Sequence, residues 1–102
     1  MSEQSHIVVT VAKDLEDLVP TFMKNRAKEI ETLGAAVAAG DFEQLRQIGH
    51  RMKGVGNSYG FEKVSDLGKQ IEDSARVNDT KALQAQVAEY TDYLARVTIV
   101  YE

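Results

Sequence analysis

The stretch "IGHRMKGVGNSYGF", Ile48–Phe61, decides the fold of this chain. Its four glycines suggest a loop, yet its larger apolar residues keep helical spacing. Leu45 just upstream, then Ile48, Met52, Val55 and Tyr59, recur every three or four positions, as one face of an α-helix requires. Each glycine inside a helix costs about 1 kcal/mol relative to alanine, so glycines kept here need a packing or functional reason. Read as a helix, the stretch becomes the second of four.

Upstream, Asp14 to Gly40 carries helically spaced apolar residues, among them Leu15, Leu18, Phe22, Ile30, Leu33 and Val37. Pro20 marks a break between a short first turn and the longer helix, because proline suits a first helical turn. Gly40 fits a C-terminal cap and Asp41 caps the next N-terminus. Downstream, Gly60 ends the second helix, and a third stripe runs Phe61, Val64, Leu67, Ile71, Ala75. The turn "VNDT" supplies Asp79 as a cap for a fourth helix. That helix is read as Leu83, Val87, Tyr90, Leu94, Val97 and Tyr101, in alternating steps of four and three.

Four amphipathic segments joined by short turns predict an all-α, antiparallel up-down-up-down four-helix bundle, as one domain over residues 1–102. "HIVVTV" has the composition of a strand but no evident partner, so it is read as a short N-terminal arm whose valines cover one end of the bundle. One apolar seam per helix is enough to close a bundle, which favours a monomer.

Composition narrows the function. The absence of cysteine removes disulfides, thiolate metal sites and thiol nucleophiles. A net charge of -4 argues against a nucleic-acid partner, which requires a cationic face, and leaves proteins as partners. No apolar run approaches the roughly 20 residues needed to span a bilayer, and the N-terminus lacks the pattern of a signal peptide. The expected compartment is therefore the cytoplasm, with no membrane association. The helical stripes carry no Glu-x-x-His pair of the kind that builds di-metal bundle sites, so no metal or other cofactor is expected in this chain. Glu29, Glu31, Asp66, Asp73 and Glu89 read as solvated surface, and His6 as a solvated tail residue.

Turning about 100° per residue, the apolar residues of the second helix fall within an arc of roughly 80°, which must face the core. His50 lies about 175° from the centre of that arc. Arg46, Lys53, Gly54 and Asn57 share its side. The imidazole therefore projects outward from the middle of a rigid helix, with a cation at i+3. Gly54, at i+4, leaves that face bare, so another protein's surface can approach closely. For Gly49 and Gly56, access and close helix packing are both open readings.

An exposed imidazole beside an ammonium suits the acceptance of a negatively charged, transferable group. Neutral imidazole is a nucleophile near pH 7, and attack on phosphorus through Nε2 gives a phosphohistidine whose charge Lys53 offsets. The ring must then carry its proton on Nδ1, held there by a neighbouring group. Ser65, Lys69 and Glu72 lie along one flank of the third helix, and either Glu72 or Lys69 is within reach if the two helices pack side by side.

The run "HRMKGVGNSYGFEKVSDLGKQIE", His50–Glu72, resembles the signature of histidine-containing phosphotransfer (HPt) domains. That pattern is H-x-x-K-G, a glycine six residues on, apolar positions along the next helix and a final acidic or amide residue. His50, Lys53, Gly54, Gly60, Val64, Leu67, Ile71 and Glu72 fill it in register. The upstream "DLEDLVPTFMKNRAKEIETL" resembles the opening of small bacterial members, so the likeness covers most of the chain. Departures are mild: valine at Val64 where leucine is usual, and Gly49 in place of a commoner alanine.

The resemblance implies a phosphocarrier of two-component phosphorelays rather than an enzyme. His50 would take a phosphoryl group from a receiver-domain aspartate of a hybrid sensor kinase and pass it to that of a response regulator. Lys53 matches the residue assisting the phosphoryl group, Gly54 the one clearing the docking face, and Glu72 the partner of the other ring nitrogen. Arg46, Asn57 and Lys69 are candidate docking residues. No G-x-x-x-x-G-K-[ST] loop is present, so ATP is not the donor, and Mg²⁺ is expected in the receiver partner. The alternative is a helical adaptor that docks a receiver or kinase without carrying phosphate. Retention of both His50 and Lys53 weighs against it.

Overall fold

A computed structural model describes residues 6–102; the part of the N-terminal reading that falls on residues 1–5 lies outside them. Strand β1 (Ile7–Val11) leads through a single 3-10 turn (Lys13–Leu15) into helix α1 (Val19–Ala39). Helices α2 (Phe42–Ser58), α3 (Glu62–Arg76) and α4 (Thr80–Arg96) follow, and strand β2 (Val97–Tyr101) closes the order.

The helix limits follow local chemistry. Pro20 stands in the first turn of α1, where its missing N–H costs nothing. Gly40 ends that helix at φ +67°, with Asp41 N–H donating back to the Ala36 carbonyl at 2.9 Å. The side chains of Asp41 and Asp79 accept from the backbone N–H of Gln44 and Ala82, capping α2 and α4. Gly60, at φ +86°, turns the chain between α2 and α3.

The four helices form a bundle. Gly49 of α2 abuts Gly68 and Glu72 of α3, and Gly56 abuts Phe61 and Ser65, so these two run antiparallel. Glu29 of α1 meets Tyr90 of α4, and Gly34 and Val37 lie beside Gln84 and Val87, so this pair is antiparallel too. Leu33, Leu45, Met52, Phe61, Leu67 and Leu83 are fully buried at its centre. Burying each such side chain contributes about 1.5–3 kcal/mol, so the seam stabilises the fold largely through apolar contact.

The expected N-terminal arm is instead a strand. β1 pairs in parallel with β2, in the register Ile7↔Val97 to Val11↔Tyr101. The fourth helix therefore stops at Arg96, and Val97 and Tyr101 belong to a strand, not to the seam assigned to them. The reason lies in the residue types. Val97, Thr98, Ile99, Val100 and Tyr101 are all β-branched or aromatic, which costs χ1 freedom in a helix and suits a pleated surface. Ile7, Val9, Val11, Val97, Ile99 and Tyr101 face the bundle, while Val8, Thr10, Thr98 and Val100 face out.

A second correction concerns Glu29. It is not solvated: its side chain is only 10% exposed, and its Oε1 accepts from the Tyr90 hydroxyl at 2.7 Å and lies 3.0 Å from Arg26 Nε. Burial and the neighbouring carboxylate push the Tyr90 hydroxyl well above the ordinary phenol range. The Arg26 guanidinium also sits 4.7 Å from the centre of the Phe22 ring, which stacks on Tyr59 and Phe61. His6 is exposed, with Nδ1 3.3 Å from the Thr98 hydroxyl.

Candidate functional site

Close contact between α2 and α3 builds the site. A Cβ added to Gly49 would lie 2.7 Å from both the Glu72 nitrogen and the Gly68 oxygen. One added to Gly68 would lie 2.6 Å from the Gly49 oxygen and the Lys53 nitrogen. Any side chain at either position would push the two backbones apart. Gly56 is similarly pressed, against Ser65 and Phe61, so packing explains both Gly49 and Gly56. Gly68 does not stand out in the sequence; its place opposite Gly49 depends on how the helices pair.

This approach carries Glu72, only 2% exposed, up to the flank of α2. Its Oε2 lies 3.1 Å from His50 Nδ1, and its Oε1 lies 3.1 Å from Lys53 Nζ. Arg76 Nη2, one turn along α3, donates to the same Oε2 at 3.1 Å. Arg76 is a residue that the sequence reading missed, although an arginine at i+4 from a candidate carboxylate is a visible pairing signal. The Lys53 hydrogen bond, the His50 hydrogen bond and the charges of Lys53 and Arg76 together outweigh desolvation and hold the Glu72 carboxyl below its ordinary range.

An ionised carboxylate only accepts hydrogen bonds, so its pairing with His50 requires the proton on Nδ1. In the neutral form of the ring the lone pair then lies on Nε2, and the His50 side chain is 64% exposed. The arrangement offers solvent an oriented ring nitrogen beside an ammonium.

The remaining candidates fall around it. Gly54 faces open space: a Cβ there would meet nothing within 4 Å. Asn57 is exposed, and its backbone N–H donates to Ser65 Oγ at 2.8 Å. Arg46 is held by Glu43 through bonds of 3.1 and 2.6 Å. Lys69 does not reach the ring: it is 68% exposed and lies 3.5 Å from Asp73, which leaves Glu72 as the ring's partner from α3.

Among the described residues, no group of three or more His, Cys, Asp or Glu side chains is placed to hold a metal ion. Nor is any described helix long and apolar enough to cross a membrane. Comparison with curated proteins and with solved structures gave no match. A family model for the Hpt domain matches residues 9–98, from within β1 to the start of β2. The match supports a histidine phosphotransfer role in phosphorelays. Since the matched span takes in all four helices and the whole His50 cluster, the chain belongs to the Hpt domain family.

Proposed function

We propose that this chain is a phosphorelay carrier in which His50 accepts a phosphoryl group from a receiver-domain aspartate and returns it to the aspartate of another. In each forward step the aspartyl O–P bond breaks as the Nε2–P bond forms, through a loose, metaphosphate-like transition state. The ring keeps its Nδ1 proton and gains positive charge, which the Glu72 carboxylate beneath it offsets. Lys53 turns from Glu72 towards the incoming phosphoryl oxygens. Charge at the aspartate would be neutralised on the receiver's side, by Mg²⁺ held there. The chain provides the nucleophile, one cation and a docking face, and it is not itself a kinase.

Arg46, Gly54, Asn57 and Lys69 are the proposed docking residues around His50, with Gly54 allowing the closest approach. The proposed partners are the receivers of a hybrid sensor kinase and of a response regulator. The cytoplasm is the proposed compartment, on the sequence reading alone.

The observation that carries this reading is the exposed His50 ring with its Nδ1 on the buried Glu72 carboxylate. The test mixes the protein with a phosphorylated receiver and follows acid-labile, alkali-stable label. His50→Gln should take up none while keeping its helicity. Uptake by that variant at the wild-type rate would remove His50 from the role.

A further inference from the structure

We infer that the outer edge of β2 is a self-association surface, on which a second copy of this chain adds its own β2 in antiparallel register. The inference is independent of the phosphotransfer reading. It departs from the single-seam expectation of a monomer because that expectation did not include a sheet.

The ladder bonds fix which groups point outward. Glu102 N–H donates to the Val11 carbonyl at 3.2 Å, and Lys13 N–H donates to the Glu102 carbonyl at 3.1 Å. In a parallel pair this parity turns the backbone groups of Thr98 and Val100 towards β1, and those of Ile99 and Tyr101 away from it. Among the described residues, no backbone group from another segment hydrogen-bonds to Ile99 or Tyr101 on that side. The edge is thus a row of unmet donors and acceptors. It carries no proline, glycine or charge across Val97–Tyr101, the devices that ordinarily keep such edges apart.

The two edges of the sheet are not equivalent. The outer edge of β1 faces the turn between α2 and α3, where a Cβ on Gly60 would lie 3.7 Å from the Thr10 carbonyl. Glu62 and Lys63 wall the same groove. An added strand at β1 would have to enter that groove.

The β2 sequence matches itself about a two-fold axis through Ile99. In that register Ile99 meets Ile99 of the second copy as a hydrogen-bonded pair, exchanging both backbone bonds. Val97 meets Tyr101 on the inner face, and Thr98 meets Val100 on the outer face. Arg96, which already pairs with Asp92 of its own helix at 2.9 Å, and Glu102 flank the strand and fall opposite one another, so antiparallel pairing sets unlike charges side by side where parallel pairing would set like ones. Val97, Ile99 and Tyr101 are only partly buried, and Val100 is 46% exposed, so the pairing removes further apolar surface from water. A four-stranded sheet also relieves the marginal stability of a two-stranded one.

Sedimentation equilibrium on the full chain should give a concentration-dependent mass rising towards twice 11.3 kDa. Ile99→Pro breaks no ladder bond to β1, removes an outward N–H and blocks that edge, while also trimming the Ile99 side chain that packs on the bundle. It should hold the mass at 11.3 kDa with helicity retained, whereas Ile99→Ala, which trims the same side chain but keeps the N–H, should still associate. Amide exchange supplies a readout that needs no variant: Ile99 and Tyr101 amides should slow at least tenfold between dilute and concentrated samples, while those of Val8 and Thr10 should not. A chain that stays at 11.3 kDa at hundreds of micromolar, or whose Ile99 amide exchanges equally fast at both concentrations, overturns the inference. So does a dimer undiminished by Ile99→Pro, or one that protects Val8 and Thr10 instead.

Discussion

Glu72 Oε2 and His50 Nδ1 lie 3.1 Å apart across the α2–α3 contact, one side chain 2% exposed and the other 64%. A buried acceptor thus orients a solvent-facing ring, although the acceptor itself is withdrawn from the surface.

Replacement of Glu72 should separate its charge from its role as acceptor. Glu72→Gln keeps an oxygen for the Nδ1 proton and should retain most of the phosphotransfer rate. Glu72→Ala removes it and should slow transfer about ten- to hundredfold, the equivalent of the ~1.5–3 kcal/mol attached to a hydrogen bond with a charged group. Single-turnover transfer from a phosphorylated receiver measures both. Equal rates for the alanine and glutamine variants would show that the hydrogen bond to His50 is idle.

The glycines of α2 should respond in opposite directions. Gly54→Ala meets no atom within 4 Å and improves helix propensity, so it should stabilise the fold by up to about 1 kcal/mol. Gly49→Ala drives a Cβ into the backbone of α3 and should destabilise by about 1–3 kcal/mol. Urea unfolding of the two variants decides the matter, and equal midpoints would discount the tight crossing. A bulky residue at Gly54 should leave stability intact and weaken receiver binding.

Acid stability should depend on Glu72. Its carboxyl is held below the ordinary value of 4.5, first by the Lys53 hydrogen bond. The folded state therefore binds fewer protons than the unfolded one as pH falls below 4.5, so this contribution is complete above that pH and is lost on further acidification through the folded pKa. Lys53→Ala should narrow the loss by raising the folded pKa, with little change in stability at pH 7 beyond the pair itself. Thermal melts from pH 7 to 3 provide the check, and an identical acid profile in Glu72→Gln would assign the titration elsewhere.

Tyr90 makes the corresponding prediction at alkaline pH. Its hydroxyl is raised from an ordinary value of 10.0, so stability is complete below that pH and falls as pH rises above it, where the unfolded chain ionises first. Tyr90→Phe should lessen that alkaline dependence, leaving the part due to Tyr93, whose hydroxyl burial also raises. It should also cost about 1–3 kcal/mol at neutral pH, because Glu29 stays buried without its donor. A phenylalanine variant as stable as the parent would mean that Glu29 turns to solvent when released.

The bundle and the face bearing His50 were legible because both depend on spacing within one helix. Leu45, Ile48 and Met52 set the core arc, and His50 had to lie opposite. The caps at Gly40, Asp41 and Asp79 were legible for a similar reason, since each is a local turn with its own residue chemistry. What depended on two segments meeting was not. Val97 and Tyr101 fit a helical step of four as readily as strand alternation, and only the presence of Ile7–Val11 alongside settles the choice. Glu29 and Gly68 were misread or passed over because burial and close crossing belong to pairs of helices. The choice between Glu72 and Lys69 needed the relative offset of α2 and α3, which no single-helix pattern contains.

The parallel pairing of β1 with β2 bears on the order of assembly. It joins the two ends of the chain, so its closure entropy is unfavourable until the intervening helices have collapsed into a compact unit. Local contacts between α2 and α3 are therefore expected first, with the sheet fastening a bundle already formed. The same dependence makes it the first element to open from the native state, so the amide of Val9 should exchange faster than that of Leu67, and the reverse order would show the sheet to be part of the nucleus.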